Sequence, residues 1–208
     1  MLIRVSKQQI ELNDNLCMVS RKLIRFLCSD YLKADENKTL IFTGKQLGDF
    51  LGISKPVVSK YKPQLLRELT SYRMGERAPF EIRHIDNLFR IKADVSRFSN
   101  PRSDIIYDYE NILYMDCKYS VYLYERGLYE IFSGASFPLE LESLAGTVPA
   151  SLSQMAQRLD KSIKEVNLLT DIKLTLSAGR TQYRINVRRK NEKEMEKVRE
   201  NRRCRSRK

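Results

Sequence analysis

Two runs of cationic, hydroxyl and amide side chains carry most of the chemistry this sequence can offer. The first is Lys55, Ser59, Lys60 and Lys62, and the second is Ser151, Ser153, Gln154, Gln157, Arg158 and Lys161, with Arg180 further on. Ammonium and guanidinium groups neutralise phosphates, while amides, hydroxyls and guanidinium forks read the hydrogen-bonding edges of base pairs. Both runs therefore point to double-stranded DNA. Covalent chemistry finds fewer parts. His84 is the only histidine, so a histidine-based zinc site, a Ser-His-Asp triad and a Cys-His dyad each lack a member or hang on one residue. The cysteines, Cys17, Cys28, Cys117 and Cys204, form no C-x-x-C pair and read as reduced thiols of a cytoplasmic protein. No phosphate-cradling G-x-x-x-x-G-K-[ST] loop is present. The expectation is a protein that is not an enzyme, needs no metal or cofactor, and uses His84 as a wing or surface residue.

A groove-reading side chain needs a rigid helix beneath it, and each run has one. Thr43 can cap a helix whose inner face is Leu47, Phe50 and Leu51, with Gly48 where a second helix crosses closely. Gly52 makes the turn. Ser54 then caps a helix that carries Lys55 and Pro56 in its first turn, where the missing proline N–H does no harm. Val57, Val58, Tyr61, Leu65, Leu66 and Leu69 form its buried side and leave the first cationic run outward. Phe80, Ile82, Phe89 and Ile91 alternate around Asp86-Asn87 as a two-stranded hairpin. A helix-turn-helix followed by a hairpin is a winged helix.

The plan recurs downstream. The spacing predicts a short helix from Phe137 to Gly146 and a longer one from Pro149, whose buried side is Leu152, Met155, Leu159, Ile163 and Val166. Ile172, Leu174, Leu176, Tyr183, Ile185 and Val187 alternate as a second hairpin, tipped by Arg180. The fold class is α+β, with two tandem winged-helix domains. The first spans 1–108 and the second 109–190, with a Tyr-rich helix at 112–132 at the junction and a passage at 94–108 that breaks the periodicity. Residues 191–208 form a basic tail, read either as a solvated helix or as a phosphate binder.

Charge supports the same partner. Among 208 residues, Lys plus Arg number 38 and Asp plus Glu 26, a net charge of +12, and +7 of it falls between Arg188 and Lys208. Neutralising phosphates releases condensed counterions, so a basic protein gains affinity for DNA. No apolar stretch reaches the length of a membrane span and the start lacks a secretory core, which implies no membrane partner. The tyrosines around 119–129 invite a nucleophile reading, but strand nicking of that kind also needs a metal held by a histidine pair. A buried aromatic face is the expectation.

Residues 112–190 resemble the iteron-binding plasmid replication initiators. Lys118-Tyr-Ser-Val-Tyr-Leu-Tyr-Glu is similar to that family's K-Y-S-x-x-L-Y-E helix, and Leu159-Asp-Lys-Ser-Ile-Lys-Glu-Val-Asn-Leu-Leu-Thr-Asp-Ile to its L-x-x-A-I-x-E-I-N-x-x-T-D run, followed by Gly179-Arg180 in the wing. Ser162 stands where the family has a small alanine. The resemblance implies an initiator that binds direct repeats at a replication origin, acts as a monomer there, and represses its own gene as a homodimer. Host replication proteins are the further partners it implies. A winged-helix transcriptional repressor uses the same groove physics and is the alternative.

Overall fold

Alternating apolar runs and helical apolar stripes share this chain, and both are realised. The computed structural model describes residues 1–12, 16–29, 39–73, 76, 78–94, 104–131, 136–139, 152–178 and 183–206. The chain opens with β1 (Leu2–Val5), α1 (Lys7–Leu12) and α2 (Met18–Leu27). Then come β2 (Thr39–Thr43), α3 (Gly44–Leu51), α4 (Lys55–Ser71), β3 (Phe80–Ile85) and β4 (Leu88–Ala93). β5 (Ile105–Asp108), α5 (Glu110–Leu113), α6 (Ser120–Ile131) and β6 (Ser136–Leu139) lead to α7 (Leu152–Leu169), β7 (Ile172–Ala178), β8 (Tyr183–Arg189) and α8 (Glu192–Ser206). The fold is α+β. No helix among the described residues is long and apolar enough to cross a membrane.

Two compact units emerge, Met1–Ser6 with Val19–Tyr109, and Lys7–Met18 with Glu110–Lys208. The partition departs from a first domain running unbroken over 1–108, because α1 packs against α6 in the second unit. It also draws the basic tail into that unit as α8, which packs on α7.

In the first unit β1 and β5 pair antiparallel, turning Ile3, Val5, Ile105 and Tyr107 into the core. A passage expected to be irregular thus ends as a strand, because Ile105 and Tyr107 alternate inward. β2, β4 and β3 form a sheet in that order, with Phe42, Phe89 and His84 in one cross-strand row. Phe42, Phe80, Ile82, Phe89 and Ile91 are buried against the helices. Burying each such side chain stabilises the fold by about 1.5–3 kcal/mol as an upper estimate.

The second unit repeats that sheet. β6, β8 and β7 stand in the same first, third, second order, and Phe137, Leu139, Leu174, Ile185 and Val187 are buried. Two expectations are corrected here. Residues 136–139 are a strand and not the start of a helix, since Phe137 and Leu139 alternate inward and pair with Ile185 and Tyr183. The Tyr-rich helix begins at Ser120 and not at 112: a short α5 ends at Leu113 and the chain turns before α6. α6 lies close on the sheet at Gly127, where an added Cβ would come within 2.8 Å of Ile172 Cδ1.

Candidate nucleic-acid interface

The first cationic run is held by a helix pair whose joint is built from both sides. Thr43 Oγ1 accepts from Gln46 N at 3.2 Å and Thr43 N donates back to Gln46 Oε1 at 2.9 Å, a capping box that fixes the start of α3. Gly52 ends α3 in the left-handed region at φ 64°. Gly48 lets the turn approach, since a Cβ there would sit 2.5 Å from the Ile53 carbonyl oxygen. Buried Lys22 of α2 donates to the Leu51 carbonyl at 3.0 Å, placing a cation at the negative end of α3. Lys22 is a positioning residue that lies outside both cationic runs singled out in the sequence.

α4 carries Val58, Leu65 and Leu69 inward. Lys55, Ser59 and Lys62 line a cleft of about 480 Å³ whose other walls are the start of α3 and the tip of the β3–β4 hairpin. Lys45, His84 and Asp86 join them there, and none of these three stood among the expected DNA contacts. Their signal was tertiary, because the hairpin turn has to fold back over α4 before they meet. Lys60 does not line the cleft; its ammonium lies 5.9 Å from the Tyr61 ring centre.

On α7 the expected division of faces is observed. Met155, Leu159, Ile163 and Val166 are buried, while Ser153, Gln154, Gln157, Arg158 and Lys161 are exposed. Ser151 and Arg180 lie outside the described residues.

The position of α7 is fixed by a polar network that the sequence reading did not foresee. Glu165 is buried and accepts from Asp116 N at 3.0 Å, Cys117 N at 2.9 Å, Ser120 Oγ at 2.7 Å and Arg205 Nη1 at 2.8 Å. Burial alone would raise its pKa, but these donors outweigh burial and hold the carboxyl below the ordinary carboxylate value. Its charge in turn adds to burial in pushing the Cys117 thiol up to about 11. Ser162 Oγ accepts from Tyr119 N at 3.3 Å, so the hydroxyl at the departing position has a partner. Asn167 pairs with Leu174 like a strand residue, accepting at 2.7 Å and donating at 2.8 Å. Tyr124 donates to Asp171 Oδ1 at 2.9 Å, and burial with the Asp171 charge drives its pKa far up. A phenol so placed stays protonated and packs as core. The two segments that carry the family resemblance are therefore partners in one buried network.

The far end of α7 is closed by β8 and α8. Lys190 Nζ donates to the carbonyls of Asn167 and Thr170, Asn201 to that of Leu168 at 3.2 Å, and Arg202 Nε to that of Leu169 at 2.7 Å. The four carbonyls from Asn167 to Thr170 thus find side-chain donors, three of them on the cations Lys190 and Arg202, which suit the helix dipole. Burial pulls Lys190 down to about 8, with Glu194 and Asp171 opposing. Arg202 and Arg205 are committed inside the unit, while Lys193, Lys197, Arg199 and Arg203 remain exposed.

No family model matches this sequence, and no curated protein matches it. A solved structure does match its fold: the crystal structure of Pi initiator protein in complex with iteron DNA aligns with a TM-score of 0.54. The alignment covers 89% of this chain and 95% of that chain at 11% identity. This chain shares that protein's fold. At that identity the likeness is one of architecture, and side-chain roles have to be argued from this chain's own surfaces.

Proposed function

We propose that this protein is a sequence-specific double-stranded-DNA-binding replication initiator that recognises direct repeats at an origin and does no covalent chemistry. One observation carries the reading: the same plan of strand, cation-bearing helix and hairpin occurs in both units, each with the helix's polar face left open. We read each unit as a winged helix, with α4 and α7 as the helices that enter major grooves and the hairpins as wings. α7 bears Gln154, Gln157 and Arg158, which suit base edges, so the second unit supplies most of the sequence readout. α4 offers Lys55, Ser59 and Lys62, which suit phosphates and add affinity with little sequence preference. The fold shared with an initiator solved on iteron DNA favours this reading over a repressor without a replication role.

Footprinting on the DNA flanking the gene tests it, together with replication of a plasmid carrying that DNA and the gene. The expected result is protection of about two helical turns per bound chain within a tandem repeat, and loss of replication when the gene is removed. Protection of a single turn would refute two reading heads. Replication that persists without the gene would leave only a repressor, and metal-dependent nicking of the duplex would overturn the absence of covalent chemistry.

A further inference from the structure

The cleft of the first unit holds the chain's single histidine, and phosphate binding by lysines alone does not call for one. Alternation along β3 puts Phe80, Ile82 and His84 on the inner face of the hairpin, and the turn brings His84 to the end of that row. Asp86 and Asn87 fix the turn at φ 51° and 62°. The imidazole packs against the Phe89 ring with centroids 4.8 Å apart. The charged groups that line the cleft with it are Lys45 from α3, Lys55 and Lys62 from α4, and Asp86 from the turn, while β4 contributes Leu88 and Phe89. Among the described residues none of the three ammonium groups is held in an ion pair.

We propose that this cleft seats a phosphate of the DNA backbone and that His84 closes on it as the imidazolium, so that DNA binding by the first unit takes up one proton. The proposal rests on the duplex-binding reading above and adds its regulation. Three ammonium groups against one carboxylate leave the cleft with a net positive charge. A phosphodiester lowers that positive charge by one and brings two acceptor oxygens to a ring that, once protonated, has two N–H donors. The proton comes from solvent and returns to it when the DNA leaves. Imidazole ordinarily titrates near pH 6.5, so a modest change in local charge moves it across neutrality. Linkage is reciprocal: if phosphate favours the imidazolium, a lower pH must tighten the complex.

Because the histidine is unique, its ring Cε1–H gives one resonance in a carbon-edited NMR spectrum of the tag-free full chain. That resonance is titrated between about pH 5.5 and 8.5 in the free protein, with inorganic phosphate, and with a random-sequence duplex about three helical turns long. Fluorescence anisotropy measures duplex binding in parallel. The bound duplex should raise the titration midpoint by about one pH unit, and wild-type affinity should fall about tenfold more than that of His84→Gln across the range. Lys55→Gln combined with Lys62→Gln keeps the histidine and should lose the duplex-induced shift. A midpoint unmoved by bound duplex, or the same pH dependence in His84→Gln, overturns the proposal. A midpoint moved by inorganic phosphate alone also overturns it and makes the cleft a site for a free anion. Failure of any duplex to bind at low salt sinks the duplex-binding reading itself, an outcome the anisotropy arm reports separately.

Discussion

Removing the Glu165 carboxylate should destabilise the second unit without touching any group proposed to meet DNA. In Glu165→Ala the backbone N–H groups of Asp116 and Cys117 lose their acceptor, and the Ser120 hydroxyl keeps only the longer bond to the Ser162 carbonyl at 3.3 Å. Arg205 loses one ion-pair partner but keeps Asp116 at 3.8 Å, and its side chain is 31% exposed and recovers water, so its share is small. Leaving a buried donor unsatisfied costs about 1–3 kcal/mol, and breaking a buried charged network about 3–5 kcal/mol in all. The expected loss is therefore about 3–5 kcal/mol for Glu165→Ala, and roughly half that for Glu165→Gln, which keeps volume and one acceptor. Urea unfolding followed by circular dichroism, fitted with separate transitions for the two units, measures it. The pH dependence gives a second reading. The folded-state pKa of Glu165 lies below its ordinary value, so its contribution is complete above the ordinary carboxylate range and is lost as pH falls through the lower folded value. Glu165→Gln should flatten that acid limb. A loss below about 1 kcal/mol with an unchanged acid limb would refute the network as the element that fixes α7.

Three further outcomes follow from the same surfaces. Arg158→Ala should cost about 1–3 kcal/mol on the cognate site and less on random DNA, and equal losses in filter binding would mean that Arg158 touches only phosphate. Neutralising Lys55 and Lys62 together should weaken binding to all duplexes and flatten the slope of log affinity against log salt by about two units, so an unchanged slope would turn α4 towards a protein partner. Lys190 is pulled down to about 8, below its unfolded value, so the unfolded state holds the extra proton above that pH and this residue's contribution to stability rises with pH. The difference in unfolding free energy between wild type and Lys190→Met should grow from about pH 7.5 to 9.5, and a flat difference would remove Lys190 from the cap of α7.

Local chemistry in the sequence was enough for the helix pair of the first unit and for both hairpins. The Thr43 capping box, Gly52 with its positive φ, Pro56 in the first turn of α4 and the Asp86-Asn87 turn act over three or four residues, so they can be read without the rest of the chain, whereas Ser54 stands at the start of α4 without a side-chain capping hydrogen bond. The outward face of α7 was legible for the same reason: a stripe of Met155, Leu159, Ile163 and Val166 leaves its opposite side exposed whatever it packs against. Tertiary structure decided what depends on partners far along the chain. Residues 136–139 became a strand because a free edge of β8 was there to pair with, and two alternating apolar residues are too few to announce it. The cationic tail became the cap of α7 because four open carbonyls lay within reach of Lys190, Asn201 and Arg202. Glu165 looks like one more charge on a polar helix until α6 and α8 close over it. Charge and hydrogen-bonding capacity are written in each residue, but burial, which decides whether a group faces solvent or a partner, is a property of the packed unit.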